Sequence, residues 1–243
     1  MNPIRRSLLA LAASAAFTLT GVAHAEEVLR VATDATFPPF EYTENGKRTG
    51  FDIELIEAIA KVLNRKVEWT DIDFKGLVPG LVAKRFDVAA SAIYITDERR
   101  KVVDFTDPYY PGGLVIMTKK GDTSIRGPED LKGKKVTVQV GTKSVNYLKE
   151  HYPAAQPVEV EKNQQMFELV EIGRADAAVT GKPAAKVYAR TKGTLQVVDQ
   201  PLTVEEYGYA LRKDTPELTK QFNEALKKLK ADGTYDKLVA KYL

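Results

Sequence analysis

The 243-residue sequence contains no cysteine. This absence excludes disulfide bonds, cysteine metal sites, thiol nucleophiles and an N-terminal cysteine that could carry a lipid. Histidine is also scarce, with only His24 and His151. No basic stripe of the kind that binds nucleic acid is present. Any specific chemistry must therefore come from carboxylates, cations, aromatic rings and backbone amides.

The first 25 residues have the pattern of a targeting segment. Arg5 and Arg6 precede an apolar run over residues 8–22, which ends in Ala23-His24-Ala25. This order predicts a cleavable secretory signal over residues 1–25. A membrane anchor is the weaker alternative, because the run is short and rich in Ala, Ser and Thr, whereas a span needs about 20 strongly apolar residues.

The rest of the chain predicts an exported protein. No later stretch is apolar enough to cross a bilayer. We therefore expect a soluble protein that is free in a bacterial periplasm. Without the two arginines of the leader, its formal charge falls from +3 to +1.

The first half of the mature sequence alternates strand and helix patterns. "VLRVAT" predicts a buried strand, and "GFDIELIEAIAKVLNRK" predicts an amphipathic helix with Asp52 and Glu54 in the first turn, where acids are favourable. A strand at "VEW", a helix at "LVPGLVAKRF" and a strand at "DVAASAIYI" follow. This order predicts a mainly parallel sheet with helices on its faces.

The same order begins again in the second half. Strand patterns at "KKVTVQVGT", "VEVE" and "ADAAVT" alternate with helix patterns at "SVNYLKEHY" and "QQMFELVEIGR". "KRFDVAAS" and "GRADAAVT" occupy matching places, which indicates two lobes of similar design. Pro and Gly in "YYPGG" mark the connection between them. The tail predicts two amphipathic helices, separated by Asp232-Gly233, that pack on a sheet formed elsewhere.

Five stretches, in order along the chain, carry a family resemblance: "VATDATFPPFEY", "GFDIELIEAIAKVL", "DFKGLVPGL", "ITDERRKVVDFTDPYY" and "ADGTYDKLVAKY". They resemble the polar amino-acid-binding branch of bacterial periplasmic solute-binding proteins, which serve ABC importers and include the glutamine-binding and lysine/arginine/ornithine-binding proteins. The resemblance covers essentially the whole mature chain. It implies the α/β, type II periplasmic-binding-protein fold, in which two lobes close on a ligand. Each lobe is a mainly parallel sheet flanked by helices, and two crossovers join the lobes.

The resemblance also implies a domain organisation. Lobe 1 is expected to comprise residues 26–110 and 206–243, and lobe 2 residues 111–205. Hinges are expected at residues 109–113 and near 203–207. It further implies a monomer without a cofactor, which presents a small carboxylate or amino acid to the membrane permease of an ABC transporter.

Arg99 is the central candidate for ligand binding. Because Thr96 is a candidate N-cap, Arg99 falls in the first turn of the predicted helix. A cation at that place interacts unfavourably with the helix dipole, by roughly 0.3–1 kcal/mol. An ion pair with Asp97, Glu98 or Asp104 could compensate. Alternatively, an anionic ligand could be held by the guanidinium group and the helix amides. The resemblance favours the ligand, because in this family the arginine clamps the α-carboxylate.

The turn "VGTKS" is expected to supply the second half of the carboxylate grip through backbone amides and Thr142, although a plain turn capped by Ser144 fits the same residues. By resemblance, Phe37 and Phe74 are rings that enclose the aliphatic part of the ligand. Asp34 either faces the cleft or caps its own turn. The complete predicted ligand-binding set is Asp34, Phe37, Phe74, Ser91, Ala92, Tyr94, Arg99, Gln139, Thr142, Lys143, Gly181 and Tyr207.

Four positions depart from the family pattern. Gly181 stands where relatives place an aspartate that pairs with the ligand's α-ammonium group. Ala92 and Tyr94 replace the usual Gly and Thr, and Lys143 replaces Gly or Thr. Burying an unpaired ammonium costs several kcal/mol, so the lost aspartate needs an explanation.

Three explanations stay open. Asp34 could bind the ammonium group, a second acidic group of the ligand could meet Lys143, or the ligand could be a carboxylate without an α-ammonium group. Lys143 could also simply point to solvent. We expect an amino acid of glutamine or glutamate size, and a cationic ligand fits least.

Two other function classes share the fold. An enzyme resembling cyclohexadienyl dehydratase needs a general acid in the cleft; Asp34 is the candidate, but no pair of carboxylates is expected in the motif loops. A receptor sensor domain would need a membrane helix after Leu243. Binding accounts for every candidate residue, so we expect a protein that is not an enzyme.

Overall fold

The computed structural model describes residues 27–243, and the predicted secretory signal lies outside these described residues. The strands are β1 (Glu27–Thr33), β2 (Thr36–Phe37), β3 (Glu41–Glu44), β4 (Lys47–Thr49), β5 (Arg65–Asp71), β6 (Val88–Ala89), β7 (Val103–Phe105), β8 (Tyr110–Pro111), β9 (Leu114–Lys119), β10 (Lys135–Gln139), β11 (Gln156–Val160), β12 (Ala177–Gly181), β13 (Leu195–Val197), β14 (Glu206–Tyr207) and β15 (Ala210–Arg212). The helices are α1 (Phe51–Val62), α2 (Leu77–Val82), α3 (Asp97–Arg100), α4 (Lys143–His151), α5 (Asn163–Glu171), α6 (Lys182–Lys192), α7 (Pro216–Ala231) and α8 (Thr234–Tyr242). Short 3-10 helices cover Phe74–Gly76 and Pro128–Leu131.

The first lobe is built on a sheet with the strand order β5-β1-β6-β15-β7. Strands β5, β1 and β6 are parallel, whereas β15 runs antiparallel to both of its neighbours. Successive side chains of β1 point to opposite faces, as strand geometry requires. Val31 joins the core formed with α1, and Ala32 joins the core formed with α2. Helices therefore cover both faces of the sheet.

The second lobe repeats this arrangement in the order β11-β10-β12-β9-β13. Its first three strands are again parallel, and its fourth is antiparallel. The short sequence repeat falls at equivalent places, because β6 and β12 are both the third strand. Asp87 accepts a hydrogen bond from the backbone N–H of Arg30 (3.2 Å), and Asp176 accepts the corresponding bond from Lys135 (2.7 Å). The prediction of two lobes of one design is confirmed.

The two connections between the lobes lie side by side. Strand β8 pairs antiparallel with β14, so that Tyr110 is opposite Tyr207. We propose lobe boundaries at residues 110/111 and 205/206, because the chain passes from one five-stranded sheet to the other at these places. The C-terminal helices α7 and α8 pack on the first lobe next to α1. No helix in residues 27–243 has the length and apolar character needed to cross a membrane.

Two local predictions were wrong or incomplete. The strand expected over "DVAASAIYI" ends after Ala89, because Ala92 adopts a left-handed backbone conformation with φ of 41°. Beyond it, Tyr94 forms only an isolated bridge with Tyr207. The β2–β3–β4 meander was not predicted, although Asn45-Gly46 is a strong hairpin signal. Both residues have positive φ, 51° and 74°, as a tight hairpin turn requires.

Candidate functional site

A cavity lies between the two lobes, next to the ends of the central strands. All twelve residues of the predicted set line it, and six others complete the wall: Glu41, Leu114, Ser144, Asn163, Val179 and Thr180. Its volume is about 40 Å³, which is enough for water but not for an amino acid. The two lobes are therefore closed on each other. We call this space the inner cavity.

The parallel strands explain why distant residues meet in the inner cavity. Asp34 follows β1, Ser91 lies just after β6, Gln139 ends β10 and Gly181 ends β12. In open α/β sheets, ligand sites form beyond the carboxyl ends of the strands. Both sheets direct these ends into the same cleft, so the two lobes contribute to one site.

Arg99 begins the short helix α3, as predicted. Its backbone N–H donates to Oγ1 of Thr96 (3.2 Å), which confirms Thr96 as the N-cap. The guanidinium group donates from Nη1 to the carbonyl oxygen of Tyr94 (2.9 Å) and from Nη2 to that of Gly141 in the second lobe (3.3 Å). It also lies 5.6 Å from the centre of the Phe74 ring.

Within residues 27–243, no carboxylate forms an ion pair with Arg99. The alternative of a direct ion pair with Asp97, Glu98 or Asp104 is therefore wrong, although the negative charge of Glu98 acts on Arg99 from a distance and raises its pKa. Desolvation lowers the pKa of Arg99 to about 10, so the group stays charged at neutral pH. A desolvated cation that donates only to backbone carbonyls can accept an anionic ligand.

The turn "VGTKS" brings the second lobe close to the first. Gly141 has φ of 78°, and a Cβ atom built on it would lie 2.8 Å from Cα of Lys75. Helix α4 starts at Lys143 with Thr142 as the N-cap, so the alternative of a cap at Ser144 is wrong. The Thr142 hydroxyl donates to the carbonyl oxygen of Gln139 (2.7 Å) and so holds the turn in place.

Asp34 bridges the two lobes through its buried carboxylate. Its Oδ1 accepts hydrogen bonds from Thr36 Oγ1 (3.0 Å) and Lys162 Nζ (2.9 Å). Its Oδ2 accepts from the backbone N–H of Phe74 (3.1 Å) and from Gln139 Nε2 (2.9 Å). Lys162, which our sequence reasoning missed, also contacts Asp73 at 2.7 Å. In this closed conformation both oxygens of Asp34 accept two hydrogen bonds each. No sequence spacing indicated that Lys162 would be one of the donors.

Two tyrosines fill the space next to Gly181. A Cβ atom on Gly181 would lie 2.3 Å from Oη of Tyr207 and 3.2 Å from Oη of Tyr94. The two hydroxyl groups are 3.1 Å apart, and Tyr94 Oη also donates to the carbonyl oxygen of Gly113 (2.9 Å). Burial raises the pKa of both phenols, so both are neutral. The two departures from the family pattern, Tyr94 and Gly181, are therefore coupled, because the tyrosine hydroxyl lies in space that a side chain at position 181 would need.

Lys143 does not point to solvent, so that alternative is wrong. Its Nζ forms an ion pair with Oε1 of Glu205, which precedes β14 on the second connection. The exposed fractions of the two side chains are 28% and 12%. Oε2 of Glu205 is buried and has no hydrogen-bond partner in the described part of the chain. Our sequence reasoning missed Glu205, because only the fold brings it next to Lys143.

Glu41, which lines the inner cavity, forms a pair of buried carboxyl groups with Asp52, contrary to our expectation. Glu41 and Asp52 are both fully buried and lie close enough to interact, and Oε2 of Glu41 has no hydrogen-bond partner among residues 27–243. Asp52 accepts bonds from the backbone N–H of Ala92 and from the hydroxyl of Tyr109, both at 2.8 Å. Ser91 Oγ donates to Oε1 of Glu41 (2.9 Å).

Burial is the main cause of the shifted pKa values in this pair. It raises the pKa of Asp52 to about 7 and that of Glu41 well above its ordinary range. The charge of Asp52 raises the pKa of Glu41 further. Both carboxyl groups therefore keep a proton to a higher pH than exposed acids do.

A second and larger space adjoins the inner cavity on the other side of Arg99. Its volume is about 670 Å³, and we call it the outer chamber. Four residues border both spaces: Phe74, Arg99, Thr142 and Lys143. One wall is apolar and includes Leu77, Pro79 and Ile93, whereas the opposite wall carries polar residues of α4 and Glu205.

Comparison with known proteins agrees with this architecture. The family model described as bacterial extracellular solute-binding proteins, family 3, matches residues 29–243. The Escherichia coli (strain K12) protein named ABC transporter arginine-binding protein 1 is 34% identical over 239 residues, which are 96% of this chain and 97% of that protein.

Solved structures give the same result. The structure titled an ancestral arginine-binding protein bound to arginine has a TM-score of 0.86 and 42% identity, covering 90% of this chain and 100% of that one. The ancestral amino acid-binding protein AncCDT-1, described as a precursor of cyclohexadienyl dehydratase, has a TM-score of 0.84 and 45% identity, covering 88% of this chain and 95% of that one. These matches confirm the type II periplasmic-binding-protein fold. The chain belongs to family 3 of the bacterial extracellular solute-binding proteins.

Proposed function

We propose that this protein is the substrate-binding component of an ABC importer and captures a small carboxylate by closure of its two lobes. The ligand is an amino acid of glutamine or glutamate size. The observation that carries the proposal is Arg99, a desolvated cation at the interface of two closed lobes that forms no ion pair with any of residues 27–243.

Arg99 provides the fixed half of the ligand grip in this proposal. Nη1 and Nη2 now donate to two carbonyl oxygens, one from each lobe. A carboxylate that replaces the Gly141 carbonyl would gain charge-assisted hydrogen bonds, which are about twice as strong as neutral ones. The first amides of α4 and the Thr142 turn would meet the same carboxylate from the second lobe. Phe37 and Phe74 would enclose the apolar part.

The biological setting follows from the family. Relatives are named as binding proteins of ABC transporters, including the arginine-binding protein of Escherichia coli described above. We place the protein in the periplasm, where it delivers its ligand to a membrane permease as a monomer. The predicted secretory signal over residues 1–25 supports this location.

A second candidate function is catalysis. Glu41 lines the inner cavity, and burial raises its pKa well above the ordinary range, as is typical of a general acid. The neighbour AncCDT-1 is titled a precursor of a dehydratase. However, Oε1 of Glu41 already accepts a hydrogen bond from Ser91, and its carboxyl neighbour Asp52 does not line the cavity. Binding therefore remains our main proposal, and incubation with prephenate or arogenate, followed by product analysis, separates the two functions.

A thermal-shift screen tests the proposed function. The panel contains amino acids, 2-oxo acids and aromatic carboxylates, because a ligand that binds only the folded state raises the melting temperature. Calorimetry then measures the dissociation constant of each hit. Arg99→Ala should weaken binding by about 2–5 kcal/mol and leave the fold intact, as expected when one partner of a buried charge pair is truncated.

Arg100→Ala is the matched control. Arg100 is the next residue of the same helix, but its side chain is exposed. Its removal should leave affinity unchanged. An Arg99→Ala variant with the dissociation constant of the wild type would contradict a role for Arg99 in binding.

A further inference from the structure

We propose that Lys162 makes the cleft select against ligands with a cationic side chain. This inference rests on the proposed function, because it assumes that an amino acid binds between the two lobes with its carboxylate on Arg99. The side chain of such a ligand meets the other charged groups of the inner cavity. The charges of these groups therefore decide which side chains the site accepts.

Two carboxyl and two cationic side chains line the inner cavity: Asp34, Glu41, Arg99 and Lys143. Lys143 is paired with Glu205, and Arg99 donates only to backbone carbonyl oxygens. Burial raises the pKa of Glu41 and so favours its uncharged form. Asp34 is therefore the group of this set to which a cationic side chain would bind.

Lys162 already neutralises Asp34. Its Nζ lies 2.9 Å from Oδ1 of Asp34, whose side chain is only 3% exposed. The other oxygen accepts from Gln139 Nε2 and from the backbone N–H of Phe74. A ligand cation that approached this carboxylate would find its acceptor positions filled and a like charge beside it. Repulsion between like charges is an effective means of rejecting a wrong partner.

Lys162 reaches Asp34 without entering the inner cavity. Lys162 is not part of the wall of that cavity, whereas Asp34 and Lys162 both line a separate surface groove of about 260 Å³. In this groove Lys162 also contacts Asp73 at 2.7 Å. A neutral or acidic ligand can therefore bind while the ion pair stays intact. The flexible stem of a lysine lets the pair persist when the lobes move slightly apart around a ligand.

The test compares ligands that differ in side-chain charge but little in shape. Calorimetry uses two pairs of probes, L-citrulline with L-arginine and L-norleucine with L-lysine, together with L-glutamine and L-glutamate. All of these probes carry the same α-carboxylate and α-ammonium groups, so a difference within a pair reports on the side chain alone. The wild type should bind the neutral member of each pair more tightly.

Lys162→Met should shift the ratio of the two dissociation constants of a pair toward the cationic member by about tenfold, because the variant removes the like charge and frees Asp34. Loss of a contact between the lobes weakens closure on every ligand, so the ratio and not the single affinity is the measure. Adding Asp34→Asn to this variant should cancel the shift, since the carboxylate that would bind the cation is then absent.

Lys75→Met is the matched control. Nζ of Lys75 in the first lobe lies 2.6 Å from Oε1 of Glu161 in the second, and each side chain is 48% exposed. Neither residue lines the inner cavity. This variant also removes a lysine and an ion pair between the lobes, but it should leave the ratio within each pair unchanged.

The outcomes distinguish this inference from the proposed function. If the wild type prefers the cationic member of a pair, or if Lys162→Met changes both members equally, Lys162 does not select by charge and the inference is overturned, while carboxylate capture stands. An equal shift of the ratio by Lys75→Met also overturns it, because weaker closure would then be the cause. If neither pair binds the wild type, Lys162→Met must gain binding of L-arginine or L-lysine, and the inference fails without that gain. If no carboxylate or amino acid binds the wild type, the proposed function itself fails.

Discussion

Gln139 of the second lobe donates a hydrogen bond of 2.9 Å from Nε2 to Oδ2 of Asp34 in the first lobe. Lys162, also from the second lobe, contacts the other oxygen of the same carboxylate. Asp34 is therefore a point at which contacts between protein groups of the two lobes stabilise the closed conformation. This arrangement implies that closure depends on contacts of Asp34 as well as on the bound molecule.

Lys162→Met should shift the ligand-free protein toward an open conformation. Lys162 contacts both Asp34 (2.9 Å) and Asp73 (2.7 Å), and the variant removes both contacts. Because Lys162 is partly exposed, we expect an effect of about 1 kcal/mol on the closure equilibrium. Small-angle X-ray scattering should show a larger radius of gyration. Lys149→Met is the control, since its partner Glu159 lies in the same lobe; an equal expansion of both variants would contradict the assignment.

Gly181→Ala should destabilise the protein by about 1–3 kcal/mol, the usual effect of overpacking. The new Cβ atom would lie 2.3 Å from Oη of Tyr207, whereas φ at this position is an ordinary −66°. Steric conflict is therefore the only local cause. Urea unfolding measures the change.

Adding Tyr207→Phe to this variant removes the conflicting oxygen and should recover part of the loss. The comparison needs all four proteins of the cycle, because Tyr207→Phe alone also loses the bond to Tyr94. A strictly additive double variant would show that the tyrosine does not fill this space.

Glu41→Gln should flatten the pH dependence of stability. Burial raises the pKa of Asp52 from 3.8 to about 7, and that of Glu41 rises as well. Between about pH 4 and pH 7 the folded state therefore binds more protons than the unfolded state, so the free energy of unfolding falls as the pH rises. The side-chain amide introduced by this substitution is of similar size and can donate a hydrogen bond, but it does not titrate.

Thermal unfolding between about pH 5 and pH 8 measures this effect. The groups that face the pair are Ser91, Tyr109, Tyr209 and the backbone N–H of Ala92. None of the three side chains titrates in this range. Glu68→Gln, an exposed position of β5, is the control and should keep the wild-type slope. Parallel curves for wild type and Glu41→Gln would rule out the pair as the source of the pH dependence.

Ala92→Gly should stabilise the protein by up to about 1 kcal/mol. Ala92 has φ of 41°, a conformation that costs an L-residue roughly 1–2 kcal/mol and that glycine adopts freely. Part of this gain is offset by the greater flexibility of glycine in the unfolded chain. Equilibrium unfolding in urea measures the difference, and a less stable variant would show that packing of the Ala92 methyl group outweighs the strain.

Much of the fold followed from patterns that are local in the sequence. Hydrophobic periodicity located β1, α1 and the two C-terminal helices, and the repeated order of strands and helices predicted two similar lobes. The break after β6 was not predictable, because Ala92 has no intrinsic preference for a left-handed conformation. It is held there by a bond from its N–H to Asp52, which lies 40 residues away.

The candidate site was also predictable only in part. The resemblance located the twelve lining residues, but not their partners. Lys162 beside Asp34, Glu205 beside Lys143 and Glu41 beside Asp52 are pairs made by tertiary packing, and the first of them joins the two lobes. Asp52 illustrates the limit well. Its position in the first turn of α1 agreed with the preference of the helix dipole for acids, but nothing in that pattern indicated that tertiary packing buries it completely.

Tyr207 lies both on one of the two connections between the lobes and on the wall of the inner cavity. It belongs to β14, which pairs with β8 on the parallel connection, and its ring stacks on Tyr94 at 4.6 Å while bordering the inner cavity. In the binding cycle that we propose, Tyr207 therefore belongs both to a connection that acts as a hinge and to the wall of the cavity that receives the ligand. We expect a substitution that reshapes this wall also to alter the angle of lobe rotation, so that the selectivity of the protein and the extent of its movement change together.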